Sequence, residues 1–127
     1  MRPFIDFENV THAYGGKGAP AVENLNFGIE RGEFAAVVGP SGCGKSTLMK
    51  LTTGLQFPQG GAVTVGGSLV DRPVQIAGMA FQAPTLLPWR TTLDNILLPL
   101  EIVKPHRFTF NKHKKMHREK AEALLAK

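Results

Sequence analysis

The chain has 127 residues, 43% of them apolar and 20% charged, enough for one modest domain with a real core and unlike a disordered chain. Its net charge of +5 is uneven: residues 104–127 hold eight Lys/Arg against Glu119 and Glu122, and residues 1–103 hold seven against eight Asp/Glu. The high isoelectric point therefore describes the tail, and the single cysteine, Cys43, excludes an internal disulfide.

Asp6 and Glu8 interrupt the opening residues, so no secretory leader is expected there. Phe4 to Val10 sets Ile5, Phe7 and Val10 against Asp6 and Glu8, which predicts a strand with one solvated face. Thr11 to Gly18 reads as a loop by its glycines, and Tyr14 stands in it. Val22, Leu25, Phe27 and Ile29 predict a second strand, turned at Arg31-Gly32. Phe34 to Val38 is a short continuous apolar run of the kind a buried parallel strand produces. After it comes Gly39-Pro40-Ser41-Gly42-Cys43-Gly44-Lys45-Ser46-Thr47, and then Leu48, Leu51 and Leu55 at helical spacing with Gly54 as a stop.

Phe57 to Gly61 is a turn-rich linker, Val63 and Val65 form a short alternating strand, and Gly66-Gly67 closes it. Ile76 to Phe81 predicts a further strand running into Gln82, and Ala83 to Arg90 is too broken by proline for regular structure. Thr91 to Leu98 carries a capped helix start. Pro99 and Glu101 interrupt the longest apolar stretch, well short of the roughly 18 residues of a membrane span. From Lys112 to Lys127 the pattern is helical and basic. No internal repeat is present, and the whole reads as a mixed α/β layer.

The glycine-rich stretch carries the chemistry. Glycine, four residues, glycine, lysine and a hydroxyl residue, set between a strand and a helix, is the spacing of a phosphate loop. The first amides of a helix have no partner within it and, with the helix dipole, attract an anion. Gly42 and Gly44 let the backbone curl without a Cβ in the way. Lys45 reaches terminal phosphate oxygens, and the Ser46 hydroxyl suits Mg²⁺. The bland alternative is a glycine turn that only caps a helix.

Taken together, these stretches resemble the ATP-binding subunit of an ABC transporter. Gly39 to Thr47 matches the family's Walker A motif, and Tyr14 stands where the family places the aromatic that stacks on adenine. Phe81-Gln82 looks like the Q-loop, whose glutamine touches the metal and the attacking water. Leu86 to Ile96 (LLPWRTTLDNI) resembles importers for nitrate, sulfonates and taurine. The resemblance implies a partial P-loop NTPase core with an N-terminal antiparallel β portion and the start of a helical subdomain. It further implies ATP and Mg²⁺ as ligands, with Gly39, Pro40, Ser41, Gly42, Cys43, Gly44, Lys45, Ser46, Thr47 and Tyr14 binding the nucleotide. Lys45 and Gln82 would be catalytic, and Ser46 and Gln82 would face the metal. The implied partners are a transmembrane permease subunit, a second ATP-binding subunit in a dimer and, indirectly, a solute-binding protein. Nucleic acid is not expected, and the implied location is cytoplasmic, peripheral on the inner face of the membrane. Trp89 and its neighbouring leucines would belong either to the core or to a docking surface for the permease.

The departures are equally specific. No four apolar residues run into Asp-Glu, no Leu-Ser-Gly-Gly-Gln occurs, and no switch histidine follows a Walker B motif. Residues 1–127 are thus expected to be the N-terminal half of such a nucleotide-binding domain, with Lys104 to His113 as an insertion. A non-hydrolysing nucleotide-binding remnant is the alternative. A small-molecule kinase on the same loop is a third, disfavoured by Tyr14 and by Phe81-Gln82. The basic tail suits an anionic surface or, more simply, a solvated helix face with Glu119 and Glu122 as internal partners.

Overall fold

The computed structural model describes residues 2–15, 18–83 and 85–127. Two compact units divide the chain, Met1–Met79 and Ala80–Lys127. Gly16 and Lys17, within the expected loop, and Pro84, within the proline-broken stretch, lie outside the described residues.

In the first unit, strands β1 (Ile5–His12), β2 (Val22–Ile29), β3 (Gly60–Val65) and β4 (Ser68–Leu69) form one antiparallel sheet in the order β2-β1-β3-β4. Alternation dictates which face is covered. Phe7 and Val10 of β1 and Val63 and Val65 of β3 point inward, joined by Val22, Val70 and Leu51. Leu51 comes from helix α1 (Lys45–Thr53), which therefore lies on the sheet. Leu51 is fully buried, so Leu51→Ala would cost about 2–5 kcal/mol of transfer and cavity energy. A stacked pair, Phe7 and Phe27 at 4.6 Å between ring centroids, ties β1 to β2. The helix ends where the sequence predicts: Gly54 takes a left-handed φ of 71° and its amide closes on the Leu51 carbonyl. A Cβ at this position would run into the Arg72 carbonyl, so only glycine fits.

The register of β1 shifts between Glu8 and Thr11 against β3. Asn9 sits at φ 50° and Gly61 at φ 75° at this irregularity, a bulge that bends the end of β1. Beyond it, residues 11–13 are knitted to residues 57–59.

Two expected strands do not form. Phe34 to Val38 has no strand pairing, with Phe34 95% and Val38 89% exposed. Ile76 to Phe81 is likewise irregular, and Ile76 and Phe81 are exposed. A parallel strand is stable only when neighbours pair its edges and layers cover both faces. Among the described residues no strand pairs with either segment, so the apolar runs stay unstructured despite their composition. The two-residue strand β4 is too short to leave a periodic signal.

The second unit is a helical pair, α2 (Thr92–Ile102) and α3 (His106–Leu125), packed through Leu97, Phe110 and Ala121. Thr91 caps α2 by accepting from the Asp94 amide at 3.1 Å, while its hydroxyl donates to the Asp94 carboxylate at 2.7 Å. Asn95 fastens the preceding turn: its amide donates to the Leu87 and Thr91 carbonyls, and its oxygen accepts from the Leu87 amide. Arg90 pairs with Glu101 at 3.0 Å. Helix α3 begins at His106, six residues before the expected start at Lys112, because Phe110 is buried against α2 and holds that turn in place.

Candidate functional site

Helix α1 opens on a residue without a side chain. Its N-cap, Gly44, has φ 99°, and among the described residues no side chain caps the helix. The first-turn amides of Lys45, Ser46 and Thr47 are therefore left without intrahelical partners, and no acidic residue stands in that turn to compete for them. Gly44 is also pinned sterically, since a Cβ there would lie 2.5 Å from the Ala21 carbonyl oxygen at the start of β2. The sheet thus fixes where the loop ends and the helix begins.

The loop closes on itself. Cys43 donates its amide to the Pro40 carbonyl at 3.4 Å, and a Cβ on Gly39 would meet the Cys43 sulfur at 2.7 Å. Gly42 turns the chain at φ 80°. Lys45 folds back over this ring: its Nζ donates to the Gly39 carbonyl at 2.7 Å and the Pro40 carbonyl at 2.5 Å, and lies 3.5 Å from the Cys43 sulfur. An ammonium and a helix N-terminus converge here, a combination whose charge suits an anion. Ser41, Cys43 and Ser46 are exposed around it.

Thr47 behaves differently from the rest of the motif. It is only 3% exposed, and its hydroxyl is engaged by the Tyr14 hydroxyl at 2.9 Å. Tyr14 is thereby drawn from its loop onto the first turn of α1. Tyr14 is 51% exposed, with His12 edge-on to its ring at 5.4 Å between centroids and Lys50 Nζ 5.9 Å from the ring centre. The structure thus brings Tyr14 and the residues Gly39 to Thr47 together around one helix start. Gln82 stands in the second unit, exposed on a bend. Trp89 is 76% exposed and stands outside the core of that unit.

Three contributors are not legible from spacing. His12 is buried and lies 3.0 Å from the Phe57 carbonyl through Nδ1, so Nδ1 carries the proton and donates. Among the described residues its Nε2 has no partner. Gln59 grips the backbone of Ala13, accepting from its amide at 2.6 Å and donating to its carbonyl at 2.9 Å. Lys50 lies over Tyr14. Only the turn sequence Pro58-Gln59-Gly60-Gly61 offered a hint, a polar side chain in a tight connection.

Solved structures that share this fold are ATP-binding cassettes, which places it as a P-loop NTPase core, present here in part. Within that class the match is narrower: residues 22–127 fit the family model for the ABC transporter, and the chain belongs to that family. It is 45% identical over 102 residues to a protein of Brucella abortus (strain 2308) named for ATP binding, an alignment covering 80% of this chain and 38% of that protein. It is 39% identical over 102 residues to the bicarbonate transport ATP-binding protein CmpD of Synechocystis, covering 79% of this chain and 36% of CmpD. Among solved structures, the dimeric post-hydrolysis state of the ATP-binding cassette MJ0796 bound to ADP and Pi superposes with a TM-score of 0.76 at 28% identity. That superposition covers 96% of this chain and 56% of MJ0796. The chain therefore spans about two fifths of the length of the curated relatives it matches.

Proposed function

We propose that this chain is the nucleotide-binding part of an ATP-binding subunit that energises import of a small solute. The observation that carries the reading is the ring of Gly39 to Cys43 closed around the Lys45 ammonium at the uncapped start of α1. The residues present fit a nucleoside triphosphate with its Mg²⁺. The loop amides and Lys45 would hold the β- and γ-phosphates, Ser46 would face the metal, and Tyr14 would take the adenine on its exposed face. When bound, ATP would supply the phosphoryl group and Mg²⁺ would neutralise its charge. Gln82 would contact the metal and orient water.

The solute falls in the class of nitrate, sulfonates and taurine by the LLPWRTTLDNI stretch, and the CmpD relative named for bicarbonate transport adds another small oxyanion. The partners are a permease and a second ATP-binding subunit, with a solute-binding protein acting indirectly, and the location is the cytoplasmic face of the membrane. Among the described residues no helix is long and apolar enough to cross a membrane, in keeping with a peripheral subunit. Residues 1–127 constitute the N-terminal part of the nucleotide-binding domain, carrying Tyr14, Walker A and the Q-loop.

Phosphate contacts outweigh the base in this arrangement. Charge-assisted hydrogen bonds contribute about 1.5–3 kcal/mol each and several converge, whereas stacking on one ring contributes about 1–3 kcal/mol in all. The test is competition against labelled ATP in the presence of Mg²⁺. Inorganic tripolyphosphate displaces the label at concentrations where adenosine does not. Adenosine competing as well as tripolyphosphate would overturn the reading.

A further inference from the structure

Tyr14 is useful to a nucleotide only if its ring is held in place, and its own loop is a poor support. It projects from the strand end beyond His12, and the residue is half exposed. Two groups from elsewhere in the fold fix it. The Thr47 hydroxyl holds the phenol oxygen at 2.9 Å. The Gln59 carboxamide holds the backbone one residue earlier, accepting from the Ala13 amide at 2.6 Å and donating to the Ala13 carbonyl at 2.9 Å. Both hydrogen-bonding groups of one peptide residue are thus met by a single side chain 46 positions away, as a neighbouring strand would meet them. Gln59 is itself anchored, since its amide donates to the Thr11 carbonyl at 2.9 Å. His12 adds a further tie to the same turn through the Phe57 carbonyl at 3.0 Å.

We infer that Gln59 is a positioning residue for the base: through Ala13 it sets Tyr14 on α1, and so governs affinity for the nucleoside part of the ligand without touching the phosphates. The inference rests on the reading that Gly39 to Thr47 binds ATP, and it assigns to the linker between α1 and β3 a share in base selection. The chemistry requires a carboxamide. Glutamate would still accept from the Ala13 amide, but its second oxygen would face the Ala13 carbonyl with no proton to share. A shorter or apolar side chain satisfies neither group.

The experiment uses the full chain and two probes, Mg-ATP and inorganic tripolyphosphate, with Gln59→Ala and Gln59→Glu each made alone and in a Tyr14→Ala background. The chain has one tyrosine, so its ring resonances report directly on Tyr14. The expected result is a loss of ATP affinity of about three- to tenfold in both Gln59 variants, with tripolyphosphate affinity unchanged. The ATP-induced shift of the Tyr14 ring signals shrinks, and the Gln59 substitutions add nothing once Tyr14 is alanine. Equal losses for ATP and tripolyphosphate would make Gln59 a general support of the fold and overturn the inference. So would an unchanged ATP affinity, or a loss that persists at full size without Tyr14. A wild-type chain that binds neither probe would instead overturn the phosphate-loop reading, and the inference with it.

Discussion

Gly44 is the position at which a single methyl group is expected to do most harm. Gly44→Ala forces an L-residue to φ 99°, a conformation that costs about 1–2 kcal/mol before any contact is made. The new Cβ would also lie 2.5 Å from the Ala21 carbonyl oxygen and 3.3 Å from a Val22 methyl. Both are on the stretch entering β2, whose Val22 is part of the core, so relief means moving the strand or the helix, at about 1–3 kcal/mol more. The total, about 2–5 kcal/mol, lowers the melting midpoint of a unit this small by on the order of 10–25 °C. Two controls separate the terms. Gly42→Ala meets the same conformational penalty at φ 80°, but none of the described residues lies within 4 Å of its Cβ, so its loss should stay at about 1–2 kcal/mol. Gly78→Ala has no left-handed φ and no neighbour among the described residues, and should be close to neutral. The assay is thermal and urea unfolding followed by circular dichroism. A Gly44→Ala midpoint equal to that of Gly42→Ala would refute the claim that β2 braces the end of the loop.

The exposed Cys43 sulfur lies inside the loop, 3.5 Å from Lys45 Nζ. Its alkylation rate should fall when ATP and Mg²⁺ are added and change little with adenosine; an ATP-insensitive rate would contradict occupancy of the loop. On α3, desolvation and then the charges of His113, His106 and Lys120 hold the His117 imidazole below the ordinary histidine range. The folded unit therefore binds fewer protons than the unfolded chain, so its stability is full above about pH 6.5 and declines as pH falls below that value. Helix content followed in urea between pH 7.5 and 5.5 should show this decline, and His117→Gln should flatten it; a gain in stability on acidification would contradict the assignment. Turnover should be absent: the sequence has no Asp-Glu after an apolar run to hold the metal and polarise water, and losing such groups removes orders of magnitude in rate. Sustained phosphate release that Lys45→Ala abolishes would show that the chain hydrolyses ATP by itself.

Much of the first unit is legible in the sequence because local chemistry and final burial agree there. Ile5, Phe7 and Val10 alternate as the half-covered strand β1 requires, and Gly54 stops α1 where only glycine fits. The turn from Gly39 to Gly44 into α1 is legible for the same reason, since its glycines act locally. Phe34 to Val38 shows the limit. A continuous apolar run records the burial a segment would have with partners, and without a pairing strand it stays exposed. Helix α3 fails in the opposite direction: Phe108, Thr109 and Phe110 are indifferent helix formers, and contact of Phe110 with the α2 side of the core carries the helix back to His106. The grip of Gln59 on Ala13 joins residues far apart in the chain, and no period or spacing encodes such a contact.

The central claim is that Gly39 to Thr47 binds the triphosphate of Mg-ATP, with Lys45 at its centre. The most direct measurement is isothermal titration of Mg-ATP into the wild-type chain and into Lys45→Ala, each first shown to be folded by circular dichroism. Removing the ammonium deletes one charge-assisted partner of the phosphates, so affinity should fall by at least about 1.5 kcal/mol, roughly tenfold or more. Equal affinities for the wild-type chain and the variant would contradict the account.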